Sequence, residues 1–345
     1  MTSTNLEDRR LETPTATGPL TLRPYRGDAD HGAMADAFNA HRTAHGMAER
    51  TTGDGIAATY RNLTNCDPDR DVAILVVDGR AVGYARVYWE DRNSGERCFE
   101  LVENHDPRVA GRDGLQTVLA WQERRAAVIL AAMTDVAARP TILAGYALGS
   151  DRAWEATLVD AGFGLARRHA QMERPDLSAV PEIPLPDGLE IRPIDPADET
   201  MVRRVFDADC EVFRDHWGGV DCSATAFDRF RAEPEFDPRL WRVAFDGPEI
   251  AGQILNYMGP LEPDGSRHGW TESIAVRRPW RRRGVARALL AASLAAVRDA
   301  GASVASLGVD QSNENRALTL YEGLGFRVTA EELEYHKSIR QGLAR

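Results

Sequence analysis

The chain has 345 residues, enough for two ordinary domains that each bury a core, and a content of 43% apolar and 28% charged residues excludes wholesale disorder. A net charge of -11 excludes a general nucleic-acid binder, which needs a broad excess of positive charge, and suits a cationic small-molecule substrate. The longest apolar run, Ala126 to Met133, is far too short to span a bilayer.

In chain order, residues 1–17 form a polar tail with no apolar segment of the kind a secretory signal carries, which predicts a soluble cytoplasmic protein that engages no membrane. Leu20-Thr-Leu-Arg-Pro-Tyr25 then alternates as a strand does and leads into an acidic, helix-starting stretch. Asp78-Gly79 between two apolar runs predicts a hairpin turn. A helical stretch ends at Gly162-Phe163, and four prolines between Arg174 and Gly188 predict an extended linker. The pattern then repeats: Leu189-Glu-Ile-Arg-Pro-Ile194, the hairpin signal Asp246-Gly247, and Gly325-Phe326 after a helical stretch. The offsets are 169, 168 and 163 residues. One architecture therefore occurs twice, with the boundary in the linker: residues 18–173, a linker over 174–187, and residues 188–345. Cys66, Cys98, Cys210 and Cys222 show no metal-binding spacing and predict four reduced thiols in the cytosol.

The most informative segment lies in the second half, from Val276 to Leu290. It reads as a strand end, a basic turn with Gly284 and Ala286, and the first turns of an apolar-faced helix. Small residues there let a ligand approach the backbone, and the first amides of a helix are free to bind an anion such as a diphosphate. Six arginines, Arg277, Arg278, Arg281, Arg282, Arg283 and Arg287, surround the turn. The turn alone leaves a solvated basic loop and a nucleic-acid patch open, and the acidic remainder of the chain disfavours the second.

Arg281-x-x-Gly284-x-Ala286 resembles the acyl-CoA signature of the GNAT superfamily of N-acetyltransferases. About 25 residues on, Asn313 followed by Ala317-Leu-Thr-Leu-Tyr321-Glu-Gly-Leu-Gly325-Phe326 is similar to that family's other signature, and the resemblance covers most of residues 188–337. It implies an α/β (α+β) fold of two tandem GNAT-like domains, each a mixed, mostly antiparallel sheet flanked by helices. It also implies transfer of an acetyl group from acetyl-CoA to a primary amine by direct attack in a ternary complex, with no metal. The donor would be held by Ile274, Ala275, Val276, Arg281, Arg282, Arg283, Gly284, Val285, Ala286, Arg287 and Asn313. Tyr321 would be the general acid toward the CoA sulfur, and a backbone amide near Val276 would serve the oxyanion.

Glu272 is the candidate base, because period-two alternation puts Trp270, Glu272, Ile274 and Val276 on one apolar face, where a carboxyl pKa rises. An ion-paired strand carboxylate is the competing reading, as a packed core tyrosine is for Tyr321. Asp215, His216 and Trp217 are candidates for the acceptor side, against a reading as helix-end and core residues. The acceptor is expected to be a small-molecule amine, with peptide or protein amines as alternatives, and a non-catalytic acyl-CoA-binding protein as the alternative of another class. In the first half the matching turn carries Asp113 where a small residue is needed, and Leu158 stands in the place of Tyr321. That half is therefore expected to be a degenerate copy that forms scaffold and acceptor wall, while Gly114 leaves a shifted cradle open.

Overall fold

The computed structural model describes residues 18–92, 95–133, 139–214, 220–262, 265–311 and 317–339. The first half runs β1 (Thr21–Pro24), α1 (Asp28–Ala44), α2 (Gly53–Arg61), α3 (Pro68–Asp71), β2 (Val72–Val77), β3 (Arg80–Asp91), β4 (Arg97–His105), α4 (Arg112–Ala132), β5 (Thr141–Leu148), α5 (Arg152–Asp160) and β6 (Gly164–Arg174). The second repeats the plan with β7 (Leu189–Arg192), α6 (Glu199–Phe213), α7 (Ala224–Ala232), β8 (Arg242–Asp246), β9 (Glu249–Leu261), β10 (Arg267–Val276), α8 (Val285–Asp299), β11 (Val304–Asp310), α9 (Ala317–Glu322) and β12 (Arg327–Ile339). Side chains cap several helix starts: Thr52, Asp151, Asp198 and Ser223 each accept a bond from a first-turn amide. The hairpin expected at Asp78-Gly79 forms between β2 and β3, with both residues at positive φ.

All strands join one 12-stranded sheet in the order β1-β2-β3-β4-β5-β12-β6-β11-β10-β9-β8-β7. It is mostly antiparallel; β4–β5 and β10–β11 are parallel pairs. The two halves interleave at the centre, where β6 of the first half lies between β11 and β12, and β12 pairs with β5. Packing follows the exchange. Leu333 and Tyr335 of β12 join the core beneath α4 and α5, while Ala170 and Met172 of β6 join the core beneath α8.

A buried ion network fixes this seam. Arg92 reaches Glu100 at 2.7 Å and Glu334 at 3.2 Å, and the Tyr146 hydroxyl donates to Glu100 at 2.8 Å. Glu334 also meets His336 at 2.6 Å and His169 at 3.4 Å. Burial works against ionisation of Glu334, yet these partners hold its carboxyl below the usual range.

The cysteines differ from the expectation of four reduced thiols. Cys210, near the end of α6, is disulfide-bonded to Cys222, just before α7, with Cα atoms 6.0 Å apart; Cys66 and Cys98 are free. A pair twelve residues apart matches no motif, and the two meet because α6 and α7 pack side by side over one core.

Candidate active site

The site begins where β10 leaves β11. Their parallel register runs only from His268–Val304 to Trp270–Ser306, after which the strands part. At the same level the pairing of β10 with β9 slips, from Glu272 opposite Leu255 to Ala275 opposite Gln253. Three residues thus cover the span of two, a β-bulge with Ser273 at φ 47°. The bulge corrects the expected alternation. Trp270 and Glu272 keep a common face, whereas Ile274 and Val276 pack with the core beneath α8. Trp270 stacks flat on Tyr257, ring centroids 5.9 Å apart.

A cleft of about 1000 Å³ opens in the gap between the strands. Its inner end is Glu272, Ser273 and Tyr321, and its mouth is the bend from Trp280 to Arg287. Gly284 is the N-cap of α8 at φ 90° with no side-chain cap, so the first amides of the helix lack the partner that Thr52, Asp151, Asp198 and Ser223 give other helices. The left-handed conformation explains the glycine, since a Cβ there would meet nothing within 4 Å. Arg282 shares the positive-φ region at 60°. Among the described residues Arg282, Arg283 and Arg287 have no carboxylate partner, whereas Arg277 is bound by Glu211 and Glu249. Uncapped amides, the helix dipole and unneutralised guanidinium groups together make a site for a polyanion.

Of the residues proposed from sequence, Ile274, Val276, Arg281, Arg282, Gly284, Val285, Ala286 and Arg287 line this cleft with Glu272 and Tyr321. Ala275 does not and is buried, and Arg283 is exposed beside the mouth. Asn313, Asp215, His216 and Trp217 lie outside the described residues.

Burial pushes the Glu272 carboxyl up to about 7, helped by the charge of Glu49 from the first half and opposed by a hydrogen bond from the Gly308 amide. Burial, then the charge of Glu272, pushes the Tyr321 hydroxyl up to about 12, so it stays protonated at neutral pH. Among the described residues that hydroxyl has no hydrogen-bond partner, and the ring packs against Phe326. Asp209 of α6 was not found by sequence reasoning. Gln253 donates to it at 3.1 Å and the bulged Ser273 at 3.4 Å, and burial pushes its carboxyl up to about 7.

A second cavity, of about 550 Å³, lies between the halves. Phe38, Arg42, Glu49, Arg50, Tyr60 and Arg86 come from the first, and Phe230, Glu233, Glu235, Tyr257 and Trp270 from the second. It shares Glu272 and Ser273 with the cleft, so the two spaces meet at that carboxylate. The matching region of the first half is built differently. Gly111, which begins α4, has φ -81°, a Cβ on Gly114 would meet Leu20 at 2.8 Å, and Leu158 is wholly buried over Gly145.

The acetyltransferase (GNAT) family profile matches residues 203–326. A mycothiol acetyltransferase of Salinispora tropica is 32% identical over 320 residues, covering 89% of this chain and 97% of that protein. Another, from Salinispora arenicola, is 29% identical over 95% of both chains. Among solved structures, a GCN5-related N-acetyltransferase from Sphaerobacter thermophilus superposes with TM-score 0.71 at 24% identity, over 95% of this chain and 98% of that one. A tandem GNAT protein from the clavulanic acid biosynthesis pathway gives 0.67 at 15% identity, over 92% and 98%. The chain belongs to the GNAT acetyltransferase family and is a tandem-domain N-acetyltransferase.

Proposed function

We propose that the protein transfers the acetyl group of acetyl-CoA to the primary amine of a small molecule, by direct attack with both substrates bound. The observation that carries this is the meeting of two cavities at Glu272 and Ser273: a basic, helix-headed cleft on one side and a mixed cavity between the halves on the other. The CoA diphosphate sits on the amides of residues 285–287, and its acyl end reaches the bulge. The amine enters from the cavity between the halves, where Glu49, Glu233 and Glu235 attract it as a cation.

An ordinary alkylammonium has a pKa near 10.4, so releasing its proton near neutrality costs about 4–5 kcal/mol. Glu272, largely ionised once the pH passes 7, accepts that proton directly or through water. The nitrogen then attacks the thioester carbon, main-chain amides of the bulge stabilise the oxyanion, the C–S bond breaks as Tyr321 protonates the leaving sulfur, and the second proton shed by the nitrogen passes through solvent to restore Tyr321. Asp209 holds the Ser273 side chain and so steadies the bulge. The first half supplies the acceptor wall and binds no acetyl-CoA of its own. Relatives named mycothiol acetyltransferase favour the amine that acetylation converts to mycothiol as the specific acceptor.

Thiol release from acetyl-CoA across a panel of amines, including that one, tests the reading. Amine-dependent release with a strong preference for one small molecule supports it. Release only with peptides or protein lysines moves the acceptor class elsewhere.

A further inference from the structure

The gap that holds the cleft in the second half has a counterpart in the first, where β4 and β5 stay paired only from Arg97–Thr141 to Leu101–Gly145. A different chemistry fills it. His41 and His45 stand one turn apart at the end of α1, His105 ends β4, and Asp151 caps α5. Ligand atoms of His41, His105 and Asp151 all lie within 4.8 Å of one another, the only such three-residue group among the described residues. Nε2 of His41 is 3.0 Å and Nε2 of His45 is 3.8 Å from the same Asp151 oxygen, Oδ2. The His41 ring lies 4.6 Å from that of His105 and 5.1 Å from that of His45, centroid to centroid. His41, His105 and Asp151 are each at most 4% exposed.

The cluster is not satisfied by its own hydrogen bonds. Nε2 of His45, which faces Asp151, is buried without a partner; Nδ1 of His41 and Oε2 of Glu103 are also unpaired, but on the outer side of the cluster. Leaving such an atom buried and unpaired forfeits its hydration with nothing in return. The outer bonds are those of a ligand sphere. Glu103 meets Nδ1 of His105 at 2.5 Å, and Ser150 meets Nδ1 of His45 at 2.8 Å, which leaves the opposite nitrogens to point elsewhere. A carboxylate behind a histidine is the usual support of a zinc-bound imidazole.

We propose that His41, His45, His105 and Asp151 form a buried zinc site that ties α1 to β4 and α5. Three imidazole nitrogens and one carboxylate oxygen suit tetrahedral Zn²⁺, with no open position. Ligand atoms on a tetrahedral zinc stand roughly 3.3 Å apart, from metal–ligand lengths of about 2.0–2.1 Å, so His41, His105 and Asp151 draw in from within 4.8 Å, and His45, which lies outside that group at 3.8 Å from Asp151, swings in by side-chain rotation. The ion takes the place of the proton shared by His41 and Asp151 and releases it to solvent. A cavity of about 190 Å³ bordered by His41, Glu103, Asn104 and Glu332 reaches the cluster. Because α1 also carries Phe38 and Arg42 into the cavity between the halves, the ion fixes that wall.

The test uses the full chain stripped by a chelator and titrated with Co²⁺ as the spectroscopic probe, then with Zn²⁺. The expected result is one equivalent bound with the intense visible absorption of tetrahedral Co²⁺, displacement by Zn²⁺, and a higher Tm with Zn²⁺. His105→Asn should abolish the absorption, and Glu103→Gln, which keeps all four ligands, should weaken affinity about 10–100-fold. A folded, stripped wild type with no cobalt spectrum and no Zn²⁺ effect on Tm would overturn the proposal. So would binding left unchanged in Glu103→Gln, or in His105→Asn where that variant folds.

Discussion

Substituting Glu272 by glutamine removes the charge and keeps the shape, and the structure predicts two separable effects. The carboxyl titrates near 7 in the folded chain against an ordinary 4.5. At about 1.4 kcal/mol per tenfold, ionising it in place costs at most about 3 kcal/mol, with solvent in the cleft screening part of that. Because the folded pKa is raised, the wild type has its full contribution from Glu272 below pH 4.5 and loses it as the pH rises through 7. The neutral amide of Glu272→Gln has no such loss, so the variant should gain stability relative to wild type between about pH 5 and 8, read as a rising urea midpoint difference. Activity should move the other way. General-base catalysis contributes about 10²–10⁴-fold, so kcat/KM for the amine should fall by that order, and the ascending limb near pH 7 should vanish while acetyl-CoA binding persists. A variant that keeps both the limb and the rate would refute the role, and one that shows no pH-dependent gain in stability would refute the burial argument.

Tyr321→Phe should lower kcat about 10²-fold with little change in the Kd for acetyl-CoA, measured by stopped assay and calorimetry. Gly284→Ala places a side chain at φ 90°, which should cost about 1–2 kcal/mol and weaken acetyl-CoA binding at least tenfold in calorimetry. Arg92→Met leaves Glu100 buried without its cation, and Glu334 with only His336 and His169, and should lower stability by about 3–5 kcal/mol in urea unfolding. Cys222→Ser opens a short loop and should cost about 2–3 kcal/mol, matched by wild type under reducing conditions.

Much of the cleft at Gly284 was legible in the sequence because its cause is local. Gly284 followed by an apolar helix and a dense run of arginines fixes a bend, an uncapped helix start and a positive field within about ten residues. The bulge at Ser273 was not legible, since no glycine or proline marks it, and it turned Val276 to the face opposite Glu272. The exchange of β6 and β12 was hidden for another reason. Local alternation identifies a strand, but both halves carry the same strands, and pairing across the centre is decided by long-range packing of Leu333 and Met172. Glu49 and Asp209 stand far in sequence from Glu272 and Ser273, so neither the charge beside Glu272 nor the contact to the bulge leaves a motif. In the first half, Leu158 packs over Gly145 and the start of α4 at Gly111 has φ -81°.

The central claim is that the bend at Gly284 holds the donor and delivers its acyl end to Glu272. A crystal structure with acetyl-CoA tests it most directly. One molecule per chain is expected, with diphosphate oxygens on the amides of residues 285–287 and the thioester beside Glu272 and Tyr321. Diphosphate density at the α4 start, or a thioester pointing away from the bulge, would contradict it.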